Sequence, residues 1–396
     1  MDKYLLTIFL FVTFQSFSCA SVPDKIDVLI VGGGASGTAS GIQASRMGAR
    51  TLIVEETTWL GGMLTSAGVS AIDGNYNLPA GIWGEFRDSL VSHSLKTGWV
   101  SNVLFEPSVG NKIFKEICAK EKNLFIWYDT KLISAEKKNR KWDIKLNVNG
   151  KIRKIKASVL IDATELGDVA KLCGVSYDIG MENRQITNES VAPLNANNII
   201  QDLTYVAILK DYKKDVSIPR PEGYDSTLFA CACKNNLCIS PKEPERLWGK
   251  NEMITYGKLP NDKYMINWPI EGNDYYLNLI EMNPQERAEA LKKAKNHTMC
   301  FLYFIQNELG FNTFGLADDE YPTEEKLPFI PYHRESRRIH GKVRFTLNYI
   351  TEPYKQEYNL YRTNIAVGDY PVDHHHARYH GYEQLPDLYF YPVPSY

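Results

Sequence analysis

One stretch limits what this chain can fold into more than any other: Ile26 to Glu56, IDVLIVGGGASGTASGIQASRMGARTLIVEE. Ile26 to Val31 is a short, mostly apolar run with two β-branched residue types, as suits a buried parallel strand. Gly32, Gly34 and Gly37 follow in the spacing GxGxxG, and Gly41 continues along the same helix face. The first glycine permits a sharp turn, the second lets backbone approach a pyrophosphate, and the third lets the helix settle on the strand. The start of that helix turns its unpaired N–H groups toward the phosphates. Thr51 to Val54 predicts a second strand, closed by Glu55 and Glu56. Glu55 falls near the offset of about 20 residues at which a carboxylate reaches a ribose diol. GxGxxG alone is a weak signal, but here a strand precedes it, a helix follows it and an acid ends the next strand. An acid in that place, rather than an arginine, disfavours a 2′-phosphate and leaves NAD or FAD.

Two further segments separate these. TTWLGGMLTSAG follows the Glu55-Glu56 pair at once and carries the doublet Gly61-Gly62. A plain NAD domain would run into a crossover helix here, whereas a glycine pair suits a long ligand that continues past the ribose. KASVLIDATELGDVAKLCG then supplies another apolar strand, Val159 to Ile161, ending in Asp162-Ala163-Thr164 and Gly167-Asp168. With these segments the chain resembles the FAD-dependent oxidoreductases of the glutathione-reductase-like two-dinucleotide-binding superfamily. The similarity is greatest to a bacterial branch sometimes labelled xanthan lyase, itself similar in outline to the heterodisulfide reductase flavoprotein subunit. It covers most of the chain from Ile26 onward and is strongest at the first motif and around Asp162. The resemblance implies FAD as cofactor, with Gly32, Gly34, Gly37 and Glu55 holding its adenosine half. It places Gly61, Gly62 and Met63 along the route to the flavin. It also brings Asp162, Ala163, Gly167 and Asp168 to the cofactor through the family's DATGDGD run. Glu165 and Leu166 replace that run's first glycine and its neighbour, so close backbone approach is lost at Glu165.

The fold expected is α/β: a Rossmann-like FAD-binding domain with a β-meander, and an inserted α+β substrate or cap domain. Residues 21–172 would form the first, with the meander at about 124–161, residues 173–329 the second, and residues 330–396 a segment returning toward the first. Trp142, Ile144, Leu146 and Val148 alternate with polar residues, a period of two, and Asn149-Gly150 predicts a type I′ hairpin turn. Lys137 to Lys141 reads as a solvated hairpin tip. PSVGNKIFKEICAKEKNL predicts an amphipathic helix with Ile113, Phe114 and Ile117 inward. Asn283 and Pro284 predict the capped start of a long helix ending near Gly310.

Residues 1–20 carry Lys3, an apolar stretch from Leu5 to Phe14 and small residues around Ser18, Cys19 and Ala20. The apolar stretch is about half the roughly 20 residues a spanning helix needs, so a cleaved secretory signal is expected, with the mature chain periplasmic, secreted or lipid-anchored. Membrane attachment would require lipidation at Cys19. No twin-arginine pair precedes the stretch, so cofactor would be acquired after export. Of the later cysteines, the group Cys231, Cys233 and Cys238 suits a disulfide or free thiols and matches neither a zinc nor a ferredoxin spacing. With 45 basic and 47 acidic residues, a net charge of −2 gives no electrostatic reason to expect nucleic acid as a partner; a small-molecule substrate is expected instead.

Catalytic candidates lie outside the first motif. PYHRESRRIHG holds an Arg-Glu-x-Arg-Arg signature shared with the family, Arg334, Glu335, Arg337 and Arg338. Arg334 or Arg338 is expected to anchor an anionic group on the substrate, the competing reading being an internal Arg–Glu brace. The family's YPxDxH element, bordering its active site, maps onto Tyr370, Pro371, Asp373 and His375, with His375 as acid or base. A metal at Asp373, His374, His375, His376 and His380 stays open but is not expected, and Gly368-Asp369 is read as a coincidental match to a late flavin motif. The chain ends before the last strand and helix of the resembled family, so a C-terminally incomplete chain is expected. The function expected is an exported FAD-dependent oxidoreductase passing hydride from an unidentified substrate to flavin. The export signal and 24 tyrosines suggest a carbohydrate-related substrate. An NAD-linked dehydrogenase, or a glycan-binding protein that keeps the fold without catalysis, remain as alternatives.

Overall fold

The computed structural model describes residues 25–74, 76–93, 96–241, 244–342, 344–352, 355 and 375. The N-terminal segment with Cys19, and the C-terminal cluster apart from His375, lie outside the described residues.

The chain enters through β1 (Lys25–Val31), turns into α1 (Ala35–Arg46) and returns as β2 (Thr51–Val54), whose four residues are all buried. β1 and β2 pair in parallel, from Val28 opposite Thr51 to Val31 opposite Val54. The short strands β3 (Ala71–Ile72) and β4 (Val103–Leu104) pair with each other. Between and after them, α2 (Gly81–His93) and α3 (Pro107–Ala119) cover one face of the sheet. Ile113, Phe114 and Ile117 of α3 face inward as their spacing predicts, and the Phe114 ring stacks on Phe86 at 4.2 Å.

β5 (Leu124–Trp127) departs from expectation. The sequence places it in the meander, but it adds to the far edge of β2 in parallel. An apolar run of four residues has no periodicity to distinguish these pairings. The meander itself is β6 (Thr130–Lys138), β7 (Lys141–Val148) and β8 (Lys151–Asp162), joined at one turn by Asn149 and Gly150, both at positive φ as a type I′ turn requires. β8 is far longer than its apolar end suggests. Its first half pairs antiparallel with β7, and its second half pairs in parallel with β1, ending with Asp162 beside Val31. The result is one six-stranded sheet in the order β5-β2-β1-β8-β7-β6. The carboxyl ends of β1, β2 and β8 therefore open on one crevice, where ligands of doubly wound sheets sit.

Beyond β8 come α4 (Asp168–Leu172), β9 (Tyr177–Asp178), α5 (Arg184–Thr187), β10 (Leu203–Thr204), β11 (Ala207–Asp211), α6 (Lys250–Thr255), β12 (Lys263–Ile266) and β13 (Asp274–Tyr275). These are followed by α7 (Pro284–Asn307), β14 (Phe314–Leu316), β15 (Arg338–Ile339) and α8 (Leu347–Thr351). Strands β12-β11-β14 form an antiparallel sheet whose core holds Trp268, Phe229, Phe301 and Phe304. The long helix α7 starts at a capping box, in which Asn283 Oδ1 accepts the Glu286 amide and Glu286 accepts the Asn283 amide. β15 pairs with β9, which lies just past β8 and α4. Cys231 and Cys238 form a disulfide, while Cys118, Cys173, Cys233 and Cys300 are free. Among the described residues no helix is long and apolar enough to cross a membrane, and no group of side chains is arranged to hold a metal.

Candidate dinucleotide site

In the crevice, Gly32, Gly37 and Gly62 cannot carry a side chain without collision. Gly32 has φ +102°, and a Cβ there would fall 2.2 Å from the Ala163 carbonyl oxygen. A Cβ on Gly37 would lie 2.0 Å from the Gly32 oxygen. Gly34 is the extended N-cap of α1 and offers no side-chain cap, so the first-turn N–H groups are left for another acceptor. The second glycine pair folds directly onto this loop: the Gly61 amide donates to the Gly33 oxygen at 2.8 Å, and Gly34 and Gly61 form a parallel bridge. A Cβ on Gly62 would come within 2.7 Å of the Gly34 Cα. Asn111 of α3 holds the loop from behind by accepting the Leu60 amide at 3.0 Å. Met63, in the short helical turn after Gly62, is half-exposed.

Glu55 lies where the strand-closing acid is expected. Its Oε2 accepts the Gly33 amide at 2.6 Å and its Oε1 accepts the Thr57 amide at 2.8 Å. These fix the carboxylate at the edge of the glycine loop. Burial nevertheless pushes its carboxyl above the ordinary range, against the pull of both amides. A half-buried acid aimed along a glycine cradle, beside a helix start with no cap of its own, fits the ribose and diphosphate of a dinucleotide.

The loop after β8 differs from expectation in its side chains. Ala163 lines the cradle through its oxygen and Cβ, against Gly32 and Gly37. Asp162, expected beside the cofactor, binds its own loop: Oδ1 accepts from the Thr164 amide and hydroxyl, and Oδ2 accepts the Ala170 amide. Gly167 is the left-handed N-cap of α4 and packs near the Arg337 side chain. Asp168, also expected at the cofactor, is held by Arg287 at 2.5 Å and by Arg337 at 2.7 Å. Burial works against its charge, but the two guanidinium groups hold its carboxyl below the ordinary range.

The arginines of the Arg-Glu-x-Arg-Arg signature, two of them expected to anchor substrate, are engaged by acceptors of the chain. Arg334 is 4% exposed and gives its terminal nitrogens to the Asp202 oxygen, Thr204 Oγ1, Asn267 and Asp274. Arg338 is tied to Glu335, Glu182 and the Gly180 oxygen. Arg337, fully buried, ties the β8 loop to Ile280 and Glu281. Each guanidinium already faces an acceptor of the chain itself.

His375 is brought to the acceptors of Arg334. Its amide donates to Gln201 Oε1, its oxygen accepts the Asp202 amide, and its Nδ1 lies 2.5 Å from Asp274 Oδ2. Burial opposes the Asp274 charge, but Arg334 and His375 keep its carboxyl well below the usual range. Asp274 was not singled out from sequence, since it sits alone in a polar stretch and meets His375 only in three dimensions. Burial, aided by Arg287 and Arg334, pulls the His333 imidazole down to about 4, so it is neutral at pH 7.

A doubly wound sheet whose first three carboxyl ends converge on such a cradle defines the class of dinucleotide-binding α/β proteins. The sequence model of one family, FAD dependent oxidoreductase, matches residues 27–396, and the chain belongs to that family, whose cofactor is FAD. No curated protein matches the sequence. Among solved structures it is similar to p-nitrophenol 4-monooxygenase PnpA from Pseudomonas putida DLL-E4, with 12% identity over 48% of this chain and 48% of that one, at a TM-score of 0.32. A flavoprotein/dehydrogenase from Cytophaga hutchinsonii shows 18% identity over 48% of each chain, at a TM-score of 0.33. The flavin-dependent monooxygenase PieE, solved in complex with FAD and substrate, shows 14% identity over 47% of this chain and 35% of that one, at a TM-score of 0.29. The chain spans about half the length of these structures, or less.

Proposed function

We propose that this chain is an exported FAD-dependent oxidoreductase that removes hydride from a carbohydrate-related alcohol. The observation that carries the reading is the Glu55 carboxylate fixed on the Gly33 amide at the mouth of an uncapped helix. Gly32, Gly34, Gly37 and the first turn of α1 would receive the diphosphate, and Glu55 the adenosine ribose. Gly61, Gly62 and Met63 would border the way onward, with Ala163 and Gly167 on the opposite wall. When bound, FAD supplies the hydride acceptor.

His375 is the acid or base of this reading. Held by Asp274 through Nδ1, the His375 imidazole would take up the hydroxyl proton as the substrate carbon is oxidised. Asp274 is a positioning residue, and Arg334 and Thr204 hold it in place. The Cys231–Cys238 disulfide and the apolar N-terminal segment support export.

Anaerobic mixing of the flavin-loaded protein with sugars and sugar alcohols tests the chemistry through bleaching of flavin absorbance. His375→Gln should slow bleaching on the order of 100-fold with FAD affinity retained. Asp274→Asn should displace the pH profile of the same step. Wild-type rate and pH profile in His375→Gln would remove the histidine from the reaction, and failure of every such donor would remove the substrate class.

A further inference from the structure

Glu165 lies in the loop after β8, past Ala163 and Thr164, and stands where the resembled pattern has a glycine. A Cβ on Gly62 would lie 2.8 Å from Glu165 Oε1, and a Cβ on Gly34 3.3 Å from it. The carboxylate therefore sits between the two glycine loops, at the start of α1. Solvent reaches it, yet the chain crowds it. Burial, with Glu55 nearby, pushes its carboxyl above the ordinary range. Among the described residues no hydrogen bond or ion pair engages it.

Among the described residues, the elements around Glu165 bring no cation to it. The first turn of α1 carries Ala35 and Ser36, and the loop from Gly61 to Thr65 has no titratable side chain. The end of β2 brings Glu55, itself an acid. On its own loop, Asp162 is engaged by Thr164 and Ala170, and the arginines behind the loop are paired with Asp168. A diphosphate at the helix start would add negative charge to a place that already holds two carboxyl groups, and like charges so close favour a neutral form of one of them.

We propose that Glu165 meets the FAD diphosphate as a neutral carboxylic acid, so that the cofactor enters together with one proton. The proton comes from solvent and adds to the carboxylate, and the resulting O–H donates to a phosphate oxygen. This rests on the FAD reading above. It makes Glu165 a cofactor-binding residue whose protonation sets the affinity.

The test is titration of the full chain, freed of flavin, with FAD from pH 6 to pH 9, followed by quenching of flavin fluorescence. Above the pKa of free Glu165, wild-type Kd should rise about tenfold per pH unit, the linkage of one proton. Glu165→Gln, which keeps a donor without titrating, should lose that slope and bind more tightly than wild type at high pH. Calorimetry in two buffers of different ionisation enthalpy should find about one proton taken up per FAD by wild type, and that uptake should be absent from Glu165→Gln. Equal slopes and equal proton uptake in the two proteins would overturn the proposal while leaving FAD binding intact. Absence of FAD uptake by both proteins at every pH would overturn the FAD reading and this proposal with it.

Discussion

Replacement of Lys263 by methionine should cost on the order of 3–5 kcal/mol of stability, the usual effect of removing one partner from a buried ion pair. Lys263 is 3% exposed, and its ammonium lies 2.6 Å from Glu106 Oε1 and 2.7 Å from Glu320 Oε2. Glu106 precedes α3 in the nucleotide-binding unit, whereas Lys263 is in β12 and Glu320 follows β14, so the cluster fastens the two parts together. Burial opposes the Lys263 charge, but its hydrogen bonds to Glu106 and Glu320 outweigh this and raise its pKa. Burial likewise pushes the Glu320 carboxyl up, beyond what Lys263 and the Ser108 amide pull down. Without the lysine, two acids remain in a dry site and relieve their repulsion by taking up protons. The variant's folded state then binds more protons than its unfolded state, so its stability rises as pH falls through the raised carboxyl values. The deficit in urea midpoint should therefore be larger at pH 8 than at pH 5. A variant with wild-type midpoints at both pH values would show that the cluster contributes nothing.

The second large effect is on cofactor binding. Gly34→Val should lower FAD affinity on the order of 100-fold, the worth of one or two charge-assisted hydrogen bonds, while the chain stays folded. Gly34 has φ −60°, so a side chain there brings no left-handed strain. A Cβ would meet its nearest neighbour, Glu165 Oε1, at 3.3 Å, with backbone no nearer than 4.0 Å. A valine at this position fills the cradle without breaking its frame. Gly32→Val is a poorer probe, because the Ala163 carbonyl at 2.2 Å forces the loop itself to move. Equilibrium dialysis with FAD, alongside circular dichroism of both proteins, measures the effect. Equal affinity would place the diphosphate elsewhere.

The parts of the fold that could be read from sequence are those whose signals are local. The strand, glycine turn and helix from Ile26 to Arg46, the Asn149-Gly150 hairpin and the Asn283–Glu286 cap each lie within a few consecutive residues. Leu124–Trp127 was misassigned because a short apolar run carries no record of which neighbour it joins. Polar side chains are hard to read for a related reason. Nothing near Arg334 or Arg338 in the sequence shows that acceptors as distant as Asp274, Asp202 and Gly180 occupy their nitrogens. Asp162 and Asp168 reach the expected loop, but their carboxylates serve Thr164, Ala170 and two arginines. Asp274 meets His375 across a hundred residues of chain, by way of strands only two residues long. Glu165 was visible as a departure from pattern, but its position between Gly34 and Gly62 follows only from the folded backbone.

The central claim is that the crevice at the ends of β1, β2 and β8 holds FAD, and the most direct measurement is the absorption spectrum of the purified, folded protein after exposure to FAD and removal of the excess. The account predicts flavin bands at one FAD per chain, released on denaturation and absent from Gly34→Val. A folded wild-type protein that stays colourless after such exposure would contradict it.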